Sequence, residues 1–238
     1  MFCVKCGASL PDDANFCFIC GCDLRNLSQG SKTESPAVKV GDYVKFGSYP
    51  QNNSEVKEPI EWLALEVNDN EALLISRYGL DCKQYHHEAT DITWEASDLR
   101  KWLNYDFMKA AFSEEEQRRI KLSEIINDDN PKYGTRGGNN TQDRVFCLSL
   151  AEAERYFRND SERMCWPSVL IKDKKYVAGE ENGHCCWWLR SPGAGNNNPR
   201  LFISGGASDV ARNGSLQFCG IRENWGGNAV RPALRLKL

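Results

Sequence analysis

The chain has 238 residues, 41% hydrophobic and 26% charged, with a formal net charge of −3. This is ordinary globular composition, sized for one medium domain and a small accessory piece. The near-neutral balance excludes the broad basic footprint of a nucleic-acid binder, so no nucleic-acid partner is expected. No apolar run approaches the ~20 residues of a membrane span. Met1-Phe2-Cys3-Val4-Lys5-Cys6 lacks the basic start and apolar stretch of a secretory signal. A cytoplasmic protein is expected, and its eleven cysteines should then be metal ligands or reduced thiols rather than disulfides.

The first element is a metal-binding module over residues 1–25. Cys3-x2-Cys6 and Cys17-x2-Cys20 are two knuckles, each able to aim two thiolates at one ion. Four soft thiolates in tetrahedral array select zinc or iron, with zinc the usual structural occupant. Gly7 and Gly21 directly follow each knuckle, where a tight turn favours a residue without a Cβ. Some 25 residues bury too little apolar surface to fold alone, so Zn2+ would supply the missing folding energy. Cys22 is extra to the pattern and is read as a bystander. The segment resembles the short zinc ribbons at the start of many bacterial proteins. That resemblance implies either a structural staple or a docking module for a partner.

Residues 26–38 are polar, small and aperiodic, which predicts a flexible linker. Residues 39–238 read as an α+β domain. Asp42–Phe46 is a predicted strand, and Ile60–Val67 and Ala72–Ser76 form a predicted hairpin around the Asn68–Glu71 turn. Leu99, Trp102, Leu103 and Phe107 recur at helical spacing, with Thr93 or Ser97 as the cap. Ser113–Glu116 and Ser149–Glu152 are capping boxes that open two further helices. Between them Asn127–Asp143 reads as a long loop and Arg144–Leu148 as a short strand. Beyond Phe157 no helix is predicted. Cys186–Ser191, Leu201–Ser204 and Val230–Leu236 read as strands separated by long turns, and Gly193–Gly227 holds eight of the 19 glycines.

Five phrases occur in order through the large domain: Phe46-Gly47-Ser48-Tyr49-Pro50-Gln51, Ile60-Glu61-Trp62, Leu99-Arg100-Lys101-Trp102-Leu103-Asn104, Trp187-Trp188-Leu189-Arg190-Ser191-Pro192-Gly193, and Val230-Arg231-Pro232-Ala233-Leu234. Together they resemble an uncharacterised bacterial domain family with a C-type-lectin-like fold. That fold is shared with formylglycine-generating enzymes, sugar-binding lectins and the variable proteins diversified by retroelements. The resemblance implies that the first and last strands pair and that loops before the last strand carry ligand contacts. Fold alone does not assign activity.

No catalytic constellation stands out. His86 and His87 are read as surface or packing residues, because adjacent side chains rarely converge on one ion. Vicinal Cys185 and Cys186, which follow His184 into the Trp187-Trp188 strand, are read as buried. They do not reproduce, with Cys219, the cysteine pair by which formylglycine-generating enzymes bind copper. Calcium is a common ligand of lectin folds and needs several oxygen donors. Asp128-Asp129-Asn130 and Glu180-Glu181-Asn182 are the candidates for Ca2+, although solvated loop charge accounts for both. Asn197, Arg200, Asp209, Arg212, Asn213, Arg222, Asn224 and Trp225 lie on Gly-rich loops and form the candidate ligand surface, similar in composition to paratopes. A non-catalytic module for a protein or glycan ligand is the expected function. A formylglycine-generating-type oxidoreductase and a retroelement-diversified variable protein are the alternatives.

Overall fold

A computed structural model describes residues 8–11, 14, 16, 17, 19, 20, 38–172, 183–195 and 206–238. Contacts divide the chain into two units, Met1–Ala37 and Val38–Leu238. In the first, Leu10 and Cys17 are buried, with Ala8, Ala14 and Cys20 packed against them. Cys3, Cys6, Cys22 and the linker up to Ala37 lie outside the described residues.

The second unit is mixed α and β, mostly sheet. Its elements in chain order are β1 (Tyr43–Asn53), β2 (Val56–Val67), β3 (Glu71–Ser76), β4 (Asp81–Cys82), α1 (Asp98–Trp102), a π-helical turn (Leu103–Phe107), α2 (Met108–Ala111), α3 (Glu114–Arg119), β5 (Ser123–Ile125), β6 (Thr141–Asp143), β7 (Val145–Phe146), α4 (Leu150–Tyr156), α5 (Asp160–Arg163), α6 (Val169–Lys172), β8 (Trp187–Pro192), β9 (Ala207–Val210), β10 (Leu216–Ile221), β11 (Ala229–Val230) and β12 (Ala233–Lys237). The strands form one sheet in the order β1-β2-β3-β12-β7, a second in the order β10-β9-β8-β11-β4, and the ribbon β5-β6.

The predicted hairpin is β2-β3, turning at Asn68, whose side chain accepts the Asn70 and Glu71 amides. The first strand runs further than predicted. Its register with β2 slips between Lys45 and Ser48, at Gly47 with φ 67°. Only glycine fits that bulge, because a Cβ would lie 2.4 Å from the Phe112 ring. The last strand pairs with β3 and β7 rather than with the first. The predicted strand Val230–Leu236 is split in two, because Pro232 has no amide to donate and the chain there crosses from one sheet to the other. Arg231 fills the crossing, donating to the Ser76 carbonyl at 3.0 Å and lying over the Trp187 ring.

Both capping boxes form, at Ser113–Glu116 and Ser149–Glu152. Ser97, not Thr93, caps α1, its hydroxyl accepting the Arg100 amide. Leu99, Leu103 and Phe107 are buried and Trp102 is partly so, as the helical spacing requires. Three expectations change. The long loop after Asn127 closes as the β5-β6 ribbon. Two short helices, α5 and α6, follow Phe157, and the turns after Gly206 contain the β9-β10 hairpin. Trp187 and Trp188 alternate in direction, yet both are fully buried, because β8 is a central strand covered on both faces. Their indole N–H groups donate to the carbonyls of Arg163 and Lys83. The predicted strand Leu201–Ser204 lies outside the described residues.

Candidate functional site

The second sheet positions two segments side by side: residues 84–98, which follow β4, and residues 222–228, between β10 and β11. The Glu223 carbonyl accepts the amides of Tyr85 at 2.8 Å and His86 at 3.1 Å, and Gln84 donates to the Asn224 carbonyl at 2.7 Å. The Tyr85 carbonyl accepts the Leu99 amide at 3.0 Å. Tyr85 itself is buried between Trp94 and Trp188, with its hydroxyl on the Arg190 carbonyl. The 84–87 backbone is thus held by a loop on one side and a helix start on the other.

This irregular path brings the two histidines together. Their ring centroids are 4.3 Å apart. Asp98 Oδ2 lies 2.9 Å from His86 Nδ1 and 2.6 Å from His87 Nδ1, and it also accepts the His87 amide at 3.1 Å. One donor atom from each of His86, His87 and Asp98 falls within 4.8 Å of the others. The reading of adjacent histidines as divergent holds for a regular strand, but bends at Tyr85 and His87 turn both rings to one side. Burial raises the Asp98 pKa, but the His87 ring and amide and Lys101 outweigh it and bring the carboxyl down to about 2. Asp98, at the start of α1, carried no signal in the sequence that separated it from an ordinary first-turn acid.

The eight residues of the candidate ligand surface separate. Asn213, Arg222 and Asn224 are exposed, and Arg212 and Trp225 are partly buried. Trp225 packs against the core, and its indole lies so close to Gly227 that a Cβ there would sit 2.5 Å from Nε1. Asp209 is not on the surface. It sits in β9 opposite Trp188, 5% exposed, with Asn228 donating to its carboxylate at 3.2 Å. Burial pushes its pKa up to about 7, against the opposing effect of Asn228. Asn197 and Arg200 lie outside the described residues.

Two family comparisons bear on these segments. Residues 2–24 match a zinc-ribbon domain, and residues 69–238 match the family described as Domain of unknown function (DUF6273). The chain belongs to the DUF6273 family. No curated protein and no solved structure matches it. Residues 84–98 and 222–228 both fall inside the DUF6273 match. β1 and β2 precede it, yet β2 pairs with β3 and β1 with β2, so the two strands complete the edge of the same sheet.

The zinc-ribbon match supports structural zinc in the first unit. Its described cysteines fit that ion: Cys17 is buried, Cys20 packs beside it, and neither is in a disulfide. Calcium has no comparable support. Asn130, the innermost of its candidate ligands, is consumed by the fold, donating to the Pro192 and Phe218 carbonyls and accepting the Lys132 and Tyr133 amides. Asp129 accepts the Gly137 amide. Glu180, Glu181 and Asn182 lie outside the described residues. Arg190 is a buried ion-pair partner, bridging Glu152 and the carbonyls of Cys147 and Ile126. Cys165 and Cys185, both buried, face each other across an antiparallel bridge within the DUF6273 domain. Burial raises the Cys165 thiol, but a hydrogen bond from Cys185, with Arg231 nearby, brings it below its ordinary value, while that same bond to Cys165, and then burial, push Cys185 well above its own.

Proposed function

We propose that this chain is a non-catalytic binding protein, a zinc ribbon tethered to a C-type-lectin-like domain that presents residues 211–215 and 222–227 to a protein or glycan. The observation that carries this reading is the contrast between a rigid base and polar tips. Asn213, Arg222 and Asn224 are exposed, while Trp225 and the β9-β10 hairpin beneath them pack against the core. A loop held in this way varies its tip side chains at little cost in stability and suits recognition. Glycan and protein arrays with the full chain should yield a ligand. Arg222→Ala and Asn224→Ala should then weaken its binding while stability changes by less than about 0.5 kcal/mol. Trp225→Ala should weaken binding as well, at a stability cost of about 1–3 kcal/mol, because its ring is partly core. Ligand binding unaffected by all three substitutions would remove this surface from consideration.

The Cys165–Cys185 pair favours a second reading, the formylglycine-generating-type oxidoreductase. Native mass spectrometry without reductant distinguishes the two. A Cys165–Cys185 disulfide or a copper adduct supports the oxidoreductase, and free thiols on both support the binding module.

A further inference from the structure

A second metal site, separate from the ribbon, follows from the geometry at the start of α1. Four observations converge on it. First, three side chains of ligating type meet there, two neutral-capable imidazoles and one carboxylate, with donor atoms within 4.8 Å of one another. Donors sharing one tetrahedral ion at legs of about 2.0–2.2 Å lie about 3.3–3.6 Å apart. The separations of 2.9 and 2.6 Å from Asp98 Oδ2 to the two ring nitrogens are shorter than that, the second being a hydrogen bond that a bound ion would replace.

Second, His86 is only 8% exposed, and its Nδ1 makes no hydrogen bond among the described residues. It lies 2.9 Å from Asp98 Oδ2, but at an angle that does not form a bond. A buried ring nitrogen left in this state normally costs stability. An ion placed between it, His87 Nδ1 and Asp98 would satisfy it.

Third, the backbone that carries the donors is fixed before any ion arrives. The Glu223 carbonyl holds the Tyr85 and His86 amides, Asp98 holds the His87 amide, and Ser97 caps the helix that begins at Asp98. Fourth, the outer contacts have the arrangement of an outer shell. Glu88 Oε1 is 3.7 Å from His87 Nε2, longer than a hydrogen bond but on the ring edge opposite the proposed ion, where a carboxylate that closed this distance would orient a ligating imidazole. Lys101 reaches Asp98 through Oδ1 at 3.3 Å, which leaves Oδ2 to face the histidines.

We propose that His86, His87 and Asp98 bind one divalent first-row transition ion. Two imidazoles and a carboxylate favour this class over calcium or magnesium, which prefer all-oxygen shells. Three protein ligands leave coordination positions open. His87 and Asp98 have side chains 65% and 38% exposed, so those positions face solvent, beside the Arg222–Asn224 loop. The site therefore accepts water or a donor atom from a bound molecule. It stands independently of the ligand surface proposed above.

The test uses the untagged full chain, dialysed against micromolar Zn2+, with metal per chain measured by mass spectrometry. Wild-type protein should hold two ions. His87→Ala and Asp98→Asn should hold one, with second-site affinity at least about tenfold weaker. Cys3→Ser/Cys17→Ser should also hold one. Co2+ added to this cysteine variant should give the weak visible bands of a nitrogen and oxygen site, without thiolate charge transfer. His87 is exposed, so circular dichroism of His87→Ala should match wild type, which excludes unfolding as the cause of metal loss. One ion per chain in both wild type and His87→Ala, or no Co2+ spectrum in the cysteine variant, overturns the proposal.

Discussion

Asp209 shows what a single buried carboxyl does to stability. Its folded pKa of about 7 lies above the ~3.9 of an unfolded aspartate. Between pH ~4 and ~7 the unfolded chain has released this proton while the folded chain retains it. The folded state then binds more protons, so this contribution to stability is complete below pH ~4 and is lost as pH rises toward ~7. Asp209→Asn keeps an oxygen to accept from Asn228 and removes the ionisation. Urea titrations across pH 4–8 should show a shallower decline for the variant, and a gain at pH 8 of about 2–4 kcal/mol over wild type. Equal slopes would show that Asp209 ionises freely in the fold. The same residue illustrates the limit of composition. Aspartate in a Gly-rich stretch reads as a loop residue, but here it lies in a covered strand beside two tryptophans.

At the scale of the element, the joint between α4 and β8 carries a concentrated interaction. Ser149 and Glu152 close the N-terminus of α4, and Glu152 also receives the guanidinium of Arg190 from β8. Arg190 is 3% exposed. Removing its partner leaves a buried charge uncompensated, which costs about 3–5 kcal/mol, whereas losing a cap alone costs about 1. Glu152→Ala should therefore be destabilised by several kcal/mol in urea melts, and Ser149→Ala by about 1 kcal/mol. Equal effects would mean that Glu152 acts only as a cap. The capping box itself was legible as Ser-x-x-Glu before an apolar run, because that pattern is local. The Arg190 contact was not, because 38 residues separate the partners and nothing in either segment encodes the other.

At the scale of the molecule, the two units should behave separately. The boundary between Ala37 and Val38 falls within the polar stretch that the sequence marks as a tether, and each unit has its own buried cluster. A fragment beginning at Val38 should melt cooperatively near the temperature of the full chain. Cys17→Ser should lose zinc without moving that transition. A molten fragment, or a large drop in the main transition of Cys17→Ser, would show that the large unit depends on the ribbon. The two sheets of the large unit are joined at Arg231–Pro232, since β11 and β12 belong to different sheets but are consecutive in chain.

Short-range chemistry was set by the sequence alone. The double CxxC spacing, both capping boxes, the β2-β3 turn and the buried face of α1 depend on residues a few positions apart, where backbone geometry limits the outcomes. The mixed α and β class followed from strands at both ends with helices between. Tertiary structure alone decided which polar residues meet. His86 and His87 converge only because Glu223, from a loop more than a hundred residues later, holds their backbone out of strand geometry, and because Asp98 opens a helix beside them. It also decided that β8 is covered on both faces, so that alternation along the strand no longer separates core from surface. Pairing across such distances depends on how the chain packs, and the pattern of any one segment carries no record of it.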